Sequence, residues 1–334
     1  MRAGTPPGSS SAQADVYAQV TDAIVAAIEA GLAKGADWRM PWHRRRDAGA
    51  SPALPVNVAS RAAYRGINTL ALWAAADARG YPVGLWGTYR QWAGLGGQVR
   101  KGEKASTVVF WRFPKRGDAG EDADSEDAAI QDDGATGHSR RGPWARSYAV
   151  FNLAQVDGAT LPADTTPRLP EEARIGRAEA FFAALPSFDL RHGGTAAFYA
   201  PTTDHVQLPL FADFRSAEGY YATLAHEVTH WTGHPTRLAR DLSGRFGSAA
   251  YAAEELVAEL GAAFVGATLG LATEPRPDHA RYLAHWLDIL RGDRRTLFTV
   301  AGRAQSAADW LLAAAAGPPA LAPVIRHCPR QMLT

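Results

Sequence analysis

Cysteine is almost absent: Cys328 is the only one in 334 residues. No intrachain disulfide can form, no thiolate cluster can hold a metal, and a reducing compartment is the natural setting. Also absent is any uncharged run of roughly 18 strongly apolar residues that would suggest a membrane span. The first segment, MRAGTPPGSSSAQADVY, carries one arginine and no apolar stretch. No signal peptide is expected there, and the expected location is cytoplasmic. A GxxxxGK[ST] phosphate loop is missing, and Gly94-Leu95-Gly96-Gly97 reads as a turn, not a dinucleotide fingerprint.

What is present is ordinary in amount and uneven in placement. Hydrophobic residues make up 46% of the chain and charged residues 21%, enough for two domains with real cores. The net charge of +1 conceals 14 Lys/Arg against 7 Asp/Glu over residues 1–112, followed by eight acids and no base from Asp118 to Asp133.

Residues 1–12 have a disordered composition. Val16, Val20, Ile24 and Ile28 recur every fourth residue and predict an amphipathic helix to about Leu32. A second helix should open at Tyr64–Asn68 and run through Leu70 and Trp73. A short strand, a short helix over Thr88–Ala93 and a strand over Thr107–Trp111 follow. Ser147–Asn152 is the next strand. The acidic, Gly/Ala/Ser-rich residues 114–143 then read as an insertion within a hairpin. Three prolines near 155–172 mark a linker. The expected domains are therefore 13–155 and 173–334, joined by 156–172. In the second, helices are expected over Ala173–Leu185, Ala217–Thr232, Tyr251–Leu269, Asp278–Leu290 and Arg295–Leu312, with short strands at Thr195–Tyr199 and Val206–Leu208.

His226-Glu227-Val228-Thr229-His230 lies in YYATLAHEVTHWTGH, which has no proline and is mostly apolar before the first histidine. Positions 226 and 230 are one helical turn apart, so both imidazoles face one way. That pair suits Zn²⁺, with Glu227 as the general base acting on water. Leu224, Ala225 and Val228 can pack on the opposite side. A third ligand is needed, and the helix over Tyr251–Leu269 offers Glu254, Glu255 and Glu259. Glu255 is the expected ligand, with Glu254 its rival. Glu259, one turn beyond Glu255, is placed to hydrogen-bond a ligating histidine from behind. Thr236 occupies the position where a three-histidine metalloprotease has its third histidine. His234 is left with substrate contact, a backbone bond or the surface. Arg237 and Arg240 either hold a carboxylate or solvate the loop. Tyr220, Tyr221, Tyr251 and His205 are candidate oxyanion donors.

The first domain interleaves cations with aromatics. Trp42, Arg44, Arg45, Tyr64, Arg65, Tyr89, Arg90, Arg100, Lys101 and Lys104 are the candidate DNA-binding residues: cations follow phosphates and exposed rings stack on unpaired bases. No duplex-reading motif is evident, so single-stranded DNA is the expected partner. A basic face that merely solvates, with its tryptophans in the core, is the competing reading.

These blocks resemble the ArdC-type antirestriction proteins of conjugative plasmids and the N-terminal region of TraC-type plasmid primases. The resemblance rests on PW at 41–42, YRGIN at 64–68, TYRQWAGLGGQVRKGEK at 88–104, VVFW at 108–111 and VFN at 150–152. In the second half it rests on YYATLAHEVTHWTGH, on RL at 237–238, on YAAEELVAELGAAF at 251–264 and on WLDILRGDR at 286–294. It implies an α+β protein of two domains, one an N-terminal α+β domain that binds ssDNA, the other a mainly helical zincin-like metallopeptidase. The implied site is His226 and His230 as ligands, Glu227 as base and a glutamate of EELVAE as third ligand, Glu255 and Glu259 matching the ligand–x₃–acid pattern of thermolysin-like enzymes. It also implies protection of incoming plasmid DNA. Three functions follow as expectations: DNA binding with a zinc peptidase acting on a host protein, a non-catalytic ssDNA shield with a structural zinc, and a DNA-independent peptidase. The long acidic insertion departs from the family pattern.

Overall fold

The computed structural model describes residues 10–33, 40–43, 54–81, 84–112, 144–161, 170–186, 188–244, 248–271 and 279–317. The insertion at 114–143, Arg44, Arg45 and Cys328 lie outside them.

Helix α1 spans Ser10–Leu32, starting six residues before Val16 because Ala12, Gln13 and Ala14 are themselves good helix formers. Its four-residue apolar repeat buries Val20, Ile24 and Ile28. Strand β1 (Val56–Asn57) leads to α2 (Ile67–Arg79), β2 (Leu85–Gly87) and α3 (Tyr89–Gly94). Then come β3 (Gln98–Val99), β4 (Ser106–Arg112), β5 (Trp144–Asn152) and β6 (Val156–Asp157). The main sheet has the order β1-β2-β5-β4. β4 and β5, the strands that flank the acidic segment in sequence, pair antiparallel from Ser106↔Val150 to Arg112↔Trp144. β3 pairs with β6, which carries the first domain's fold to at least residue 157, into the expected linker.

Gly66, within the YRGIN block, starts α2 with φ +52°, a backbone conformation that costs other residues. Its N–H donates to Gln305 Oε1 at 2.9 Å. The motif thus fastens the two halves together.

The second domain is α4 (Glu171–Ala183), β7 (Asp189–His192), β8 (Phe198–Ala200), β9 (His205–Leu208), α5 (Ala217–Trp231), α6 (Ala249–Leu269), α7 (His279–Gly292) and α8 (Thr296–Ala316). Its small sheet runs β7-β9-β8 with β8 at the edge. β7 alone among these elements was not expected: DLRH is polar and two of its four residues are charged. The architecture is two-domain α+β, an N-terminal sheet-and-helix unit and a mainly helical C-terminal unit. No described helix is long and apolar enough to cross a membrane.

α6 is the axis of the second domain, buried on nearly all sides from Leu256 to Phe264. The interdomain seam is continuous with its core. Trp73 of α2 packs on Phe264 at 5.8 Å between centroids. Thr21 Oγ1 donates to the Arg294 carbonyl at 2.9 Å. Polar pairs Asp22–Arg294, Glu29–Arg291 and Arg65–Asp309 rim it.

Candidate metal centre

α5 is capped by Ser216, whose hydroxyl accepts from Gly219 N at 3.0 Å. Leu224, Ala225 and Val228 are buried in the core, which turns His226, Glu227 and His230 toward a cavity of about 260 Å³. α6 is capped by Ser248 in the same way. It crosses α5 at Gly261, where an added Cβ would fall 2.5 Å from Thr229 Cγ2. This close approach is what lets side chains on the two helices meet.

Glu255 meets both histidines. Its Oε2 is 3.6 Å from His226 Nε2 and its Oε1 is 3.6 Å from His230 Nε2. One ligand atom from each of the three lies within 4.8 Å of the others. The rings of His226 and His230 are nearly perpendicular, 78° apart, with centroids at 4.9 Å.

Each imidazole turns its other nitrogen to a second carboxylate. His230 Nδ1 is 3.2 Å from Glu254 Oε1. His226 Nδ1 is 3.7 Å from Glu259 Oε2. Glu254 is in turn held by Arg240, with Nη2 2.8 Å from Oε1. Glu259 Oε1 is bonded to His43 Nε2. The rivalry between Glu254 and Glu255 therefore resolves geometrically: Glu255 faces both Nε2 atoms, and Glu254 stands behind one ring.

The electrostatics favour a cation. Burial alone would discharge His230, yet Glu254 and Glu255 outweigh it and push its pKa up to about 10. Burial likewise acts to raise Glu255, and His226 and His230 overcome it and hold the carboxyl well below the usual range. Glu254 is lowered despite burial, by His230 and Arg240. Two imidazoles and a carboxylate with oriented outer partners are a fitting donor set for a divalent ion. His226, His230 and Glu255 would hold it, and a cation there supplies Lewis-acid polarisation of a carbonyl.

The remaining predicted residues separate clearly. Glu227 and Tyr251 line the cavity. Tyr220 and Tyr221 are buried, the former bonded to His192 at 2.9 Å, and His205 is bonded to Thr203 at 2.7 Å. None of these three lines the cavity. Tyr199 does, but its hydroxyl donates to Asp204 at 2.9 Å. His234 bonds Thr236 at 2.8 Å, away from the metal ligands. Arg237 and Arg240 both hold carboxylates, Asp204 and Glu254. His43 carried no signal in the sequence, sitting in a Pro/Trp/Arg segment far from the motif.

Two of the expected DNA-stacking rings are corrected. Trp42 is 3% exposed and Tyr64 5%, and the Tyr64 hydroxyl accepts from Asn57 Nδ2 at 3.0 Å. Neither presents a face to a base. Tyr89 is 51% exposed, and Arg90, Arg100, Lys101 and Lys104 are exposed around it or on the turn after β3. Arg100 is paired with Glu103 and Asp157, and Arg65 with Asp309.

Comparison with known proteins agrees with this division. Residues 176–303 match the zincin-like metallopeptidase family, and residues 14–151 match the N-terminal domain of the anti-restriction factor ArdC. The fold and the HExxH-plus-Glu255 triad are those of a gluzincin-type metallopeptidase domain. The crystal structure of antirestriction ArdC from plasmid R388 is 40% identical, with a TM-score of 0.69 over 90% of this chain and 98% of that one. An uncharacterized protein of Sinorhizobium fredii, y4eC, is 54% identical over 297 residues, 89% of this chain and 91% of its own. The DNA primase TraC of Escherichia coli is 36% identical over 301 residues, and the match spans only 27% of that primase. The chain belongs to the ArdC antirestriction family.

The expectation of Zn²⁺ is overturned. The R388 protein has also been solved in a Mn(II)-bound form, with a TM-score of 0.67 to this chain. Two imidazoles and a carboxylate accept several first-row divalent ions, so spacing alone did not identify the metal.

Proposed function

We propose that this protein acts in the cytoplasm as a single-stranded-DNA-binding shield that protects incoming plasmid DNA, with a Mn(II) centre in its zincin-like domain. The observation that carries the reading is near full-length similarity, at 40% identity, to an antirestriction protein that has a Mn(II)-bound form. Tyr89, Arg90, Arg100, Lys101 and Lys104 form the DNA surface in this reading: one open ring to stack and four cations to follow phosphates. Arg44 and Arg45 belong to the same proposal on sequence alone. A metal held by His226 and His230 of α5 and Glu255 of α6 would add to the stability of that crossing.

One observation favours a second reading, in which the domain hydrolyses a host protein. Glu227 lines the cavity beside the triad; in this reading its carboxylate takes a proton from water and returns it to a leaving amine. E227A separates the readings. In the shield reading the variant folds, takes up Mn(II), binds oligonucleotides and protects transferred DNA as the wild type does. Loss of protection with metal and DNA binding intact would transfer the function to the peptidase site.

A further inference from the structure

His43 belongs to the N-terminal part of the chain, yet its side chain is only 3% exposed and ends inside the metallopeptidase domain. Its turn is held by its own N–H, which donates to the Met40 carbonyl at 2.8 Å, and by the burial of Met40 and Trp42 in the shared core. Nε2 bonds Oε1 of Glu259. The other oxygen of that carboxylate, Oε2, is 3.7 Å from Nδ1 of His226, an electrostatic contact longer than a hydrogen bond, and that buried nitrogen has no hydrogen-bond partner among the described residues. Nε2 of His226 then faces Glu255. A chain of four side chains thus runs from the N-terminal segment to the ligand set.

A buried carboxylate held at one oxygen is fixed in rotation, and the oxygen left over then has a set direction. Groups that orient the second nitrogen of a ligating histidine tune its affinity for metal. We propose that His43 is a positioning residue for the metal centre: through Glu259 it fixes the ring of His226, so the N-terminal domain completes the frame of the metal site in the C-terminal one. The proposal rests on His226, His230 and Glu255 being the metal ligands. Coupling of this kind is reciprocal. Metal binding should therefore tighten the 40–43 segment, and disturbing that segment should weaken metal binding.

The test uses the full-length chain, stripped of metal and titrated with Mn(II), with free Mn(II) followed by electron paramagnetic resonance. H43A and H43F (no donor, the latter filling the space) should each weaken binding about 10- to 100-fold. H43Q, which keeps an N–H donor, should recover most of the affinity. The rise in Tm on adding Mn(II) should shrink in H43A and H43F and return in H43Q, a pattern that loss of packing alone would not give. In the wild type, Mn(II) should slow amide exchange across residues 40–43. Wild-type affinity in H43A and H43F overturns the proposal while leaving the metal centre intact. Absence of Mn(II) uptake by the wild type overturns the ligand reading and this proposal with it. Should H43A and H43F fail to fold, unchanged exchange at 40–43 on Mn(II) addition to the wild type overturns it.

Discussion

Glu254 and Glu255 are neighbours in the chain and address opposite nitrogens of one ring: Glu254 Oε1 is 3.2 Å from His230 Nδ1 and Glu255 Oε1 is 3.6 Å from His230 Nε2. Successive helix positions differ by about 100°, and the imidazole of His230 occupies the angle between them. Arg240 sits on Glu254. That carboxylate is thereby neutralised in place, and Glu255 remains directed at the two imidazoles.

That division gives the first prediction. E255A should reduce Mn(II) uptake to background, as the double substitution H226A/H230A should. E254A should keep uptake but with affinity about 10- to 100-fold weaker, because it removes an outer partner only. Metal titration of the three variants checks the order. A larger loss in E254A than in E255A would reverse the ligand assignment.

The crossing of α5 and α6 gives the second. Thr229 is fully buried, and a Cβ at position 261 would lie 2.5 Å from its Cγ2 and 2.9 Å from its Oγ1. Gly261→Ala should therefore spread the helices, cost about 1–3 kcal/mol in stability and weaken Mn(II) binding by pulling Glu255 from the histidines. Thr229→Ala removes both clashing atoms. The double variant should regain most of the stability and most of the affinity, a strongly non-additive cycle. Additive losses in thermal melts would show that the helix spacing is not what Gly261 protects.

Asp204 and Arg237 give a pH-dependent prediction. Arg237 Nη1 is 3.0 Å from Asp204 Oδ2, and the guanidinium also covers Trp231 at 4.0 Å from the ring centroid. Burial acts to raise the Asp204 carboxyl, but Arg237 and the Tyr199 hydroxyl overcome it, and the net direction is down. A carboxylate lowered on folding contributes stability that is complete above its unfolded value, about 3.9, and is lost as pH falls through the folded one. Asp204 has φ +51°, which Asn tolerates, so D204N tests the charge with little backbone penalty. Its Tm should fall below that of the wild type at neutral pH, and the gap should start to narrow below about pH 4 and go on narrowing as pH falls further. A gap independent of pH would assign the effect to hydrogen-bond geometry alone.

The parts of this protein written in local periodicity were legible in its sequence. α1 follows from its four-residue apolar repeat, α5 from a proline-free and mostly apolar run, and the single helical turn between His226 and His230 from the pentad. Counting one turn from Glu255 led to Glu259, whose Oε2 stands 3.7 Å from His226 Nδ1, beyond hydrogen-bond reach. What escaped was written in tertiary placement. His43 reaches Glu259 across the domain seam, and no spacing connects them. Tyr199, on strand β8, reaches the cavity only through the tertiary fold, and which carboxylate Arg240 holds is settled by the loop after α5. β7, with DLRH, lacks the alternation that marks a strand. The metal escaped because its donors are not selective. Trp42 and Tyr64 were misassigned for a different reason: an aromatic ring beside cations reads as a stacking platform, yet the same ring buries more apolar area than any other side chain and is a natural core residue.

That misassignment sharpens the prediction for DNA. If Tyr89 stacks on a base, Y89A should lose about 1–3 kcal/mol of ssDNA affinity while leaving the dependence on salt unchanged, since no charge is removed. The triple substitution R90E/K101E/K104E should instead flatten that dependence, by about 0.7 in the log–log slope for each phosphate no longer neutralised. W42A and Y64A should act by another route. Trp42 belongs to the core that α1 and α6 share, and Tyr64 packs with Trp86 beneath the main sheet. Truncating either should lower Tm, at a cost of about 3–5 kcal/mol for a buried aromatic of this size, and weaken DNA binding only through unfolding. Fluorescence anisotropy with single-stranded and duplex oligonucleotides across a salt series, paired with thermal melts, distinguishes the three behaviours. A stable W42A that binds ssDNA poorly at low salt would return Trp42 to the interface, and a Y89A that binds like the wild type would remove Tyr89 from it.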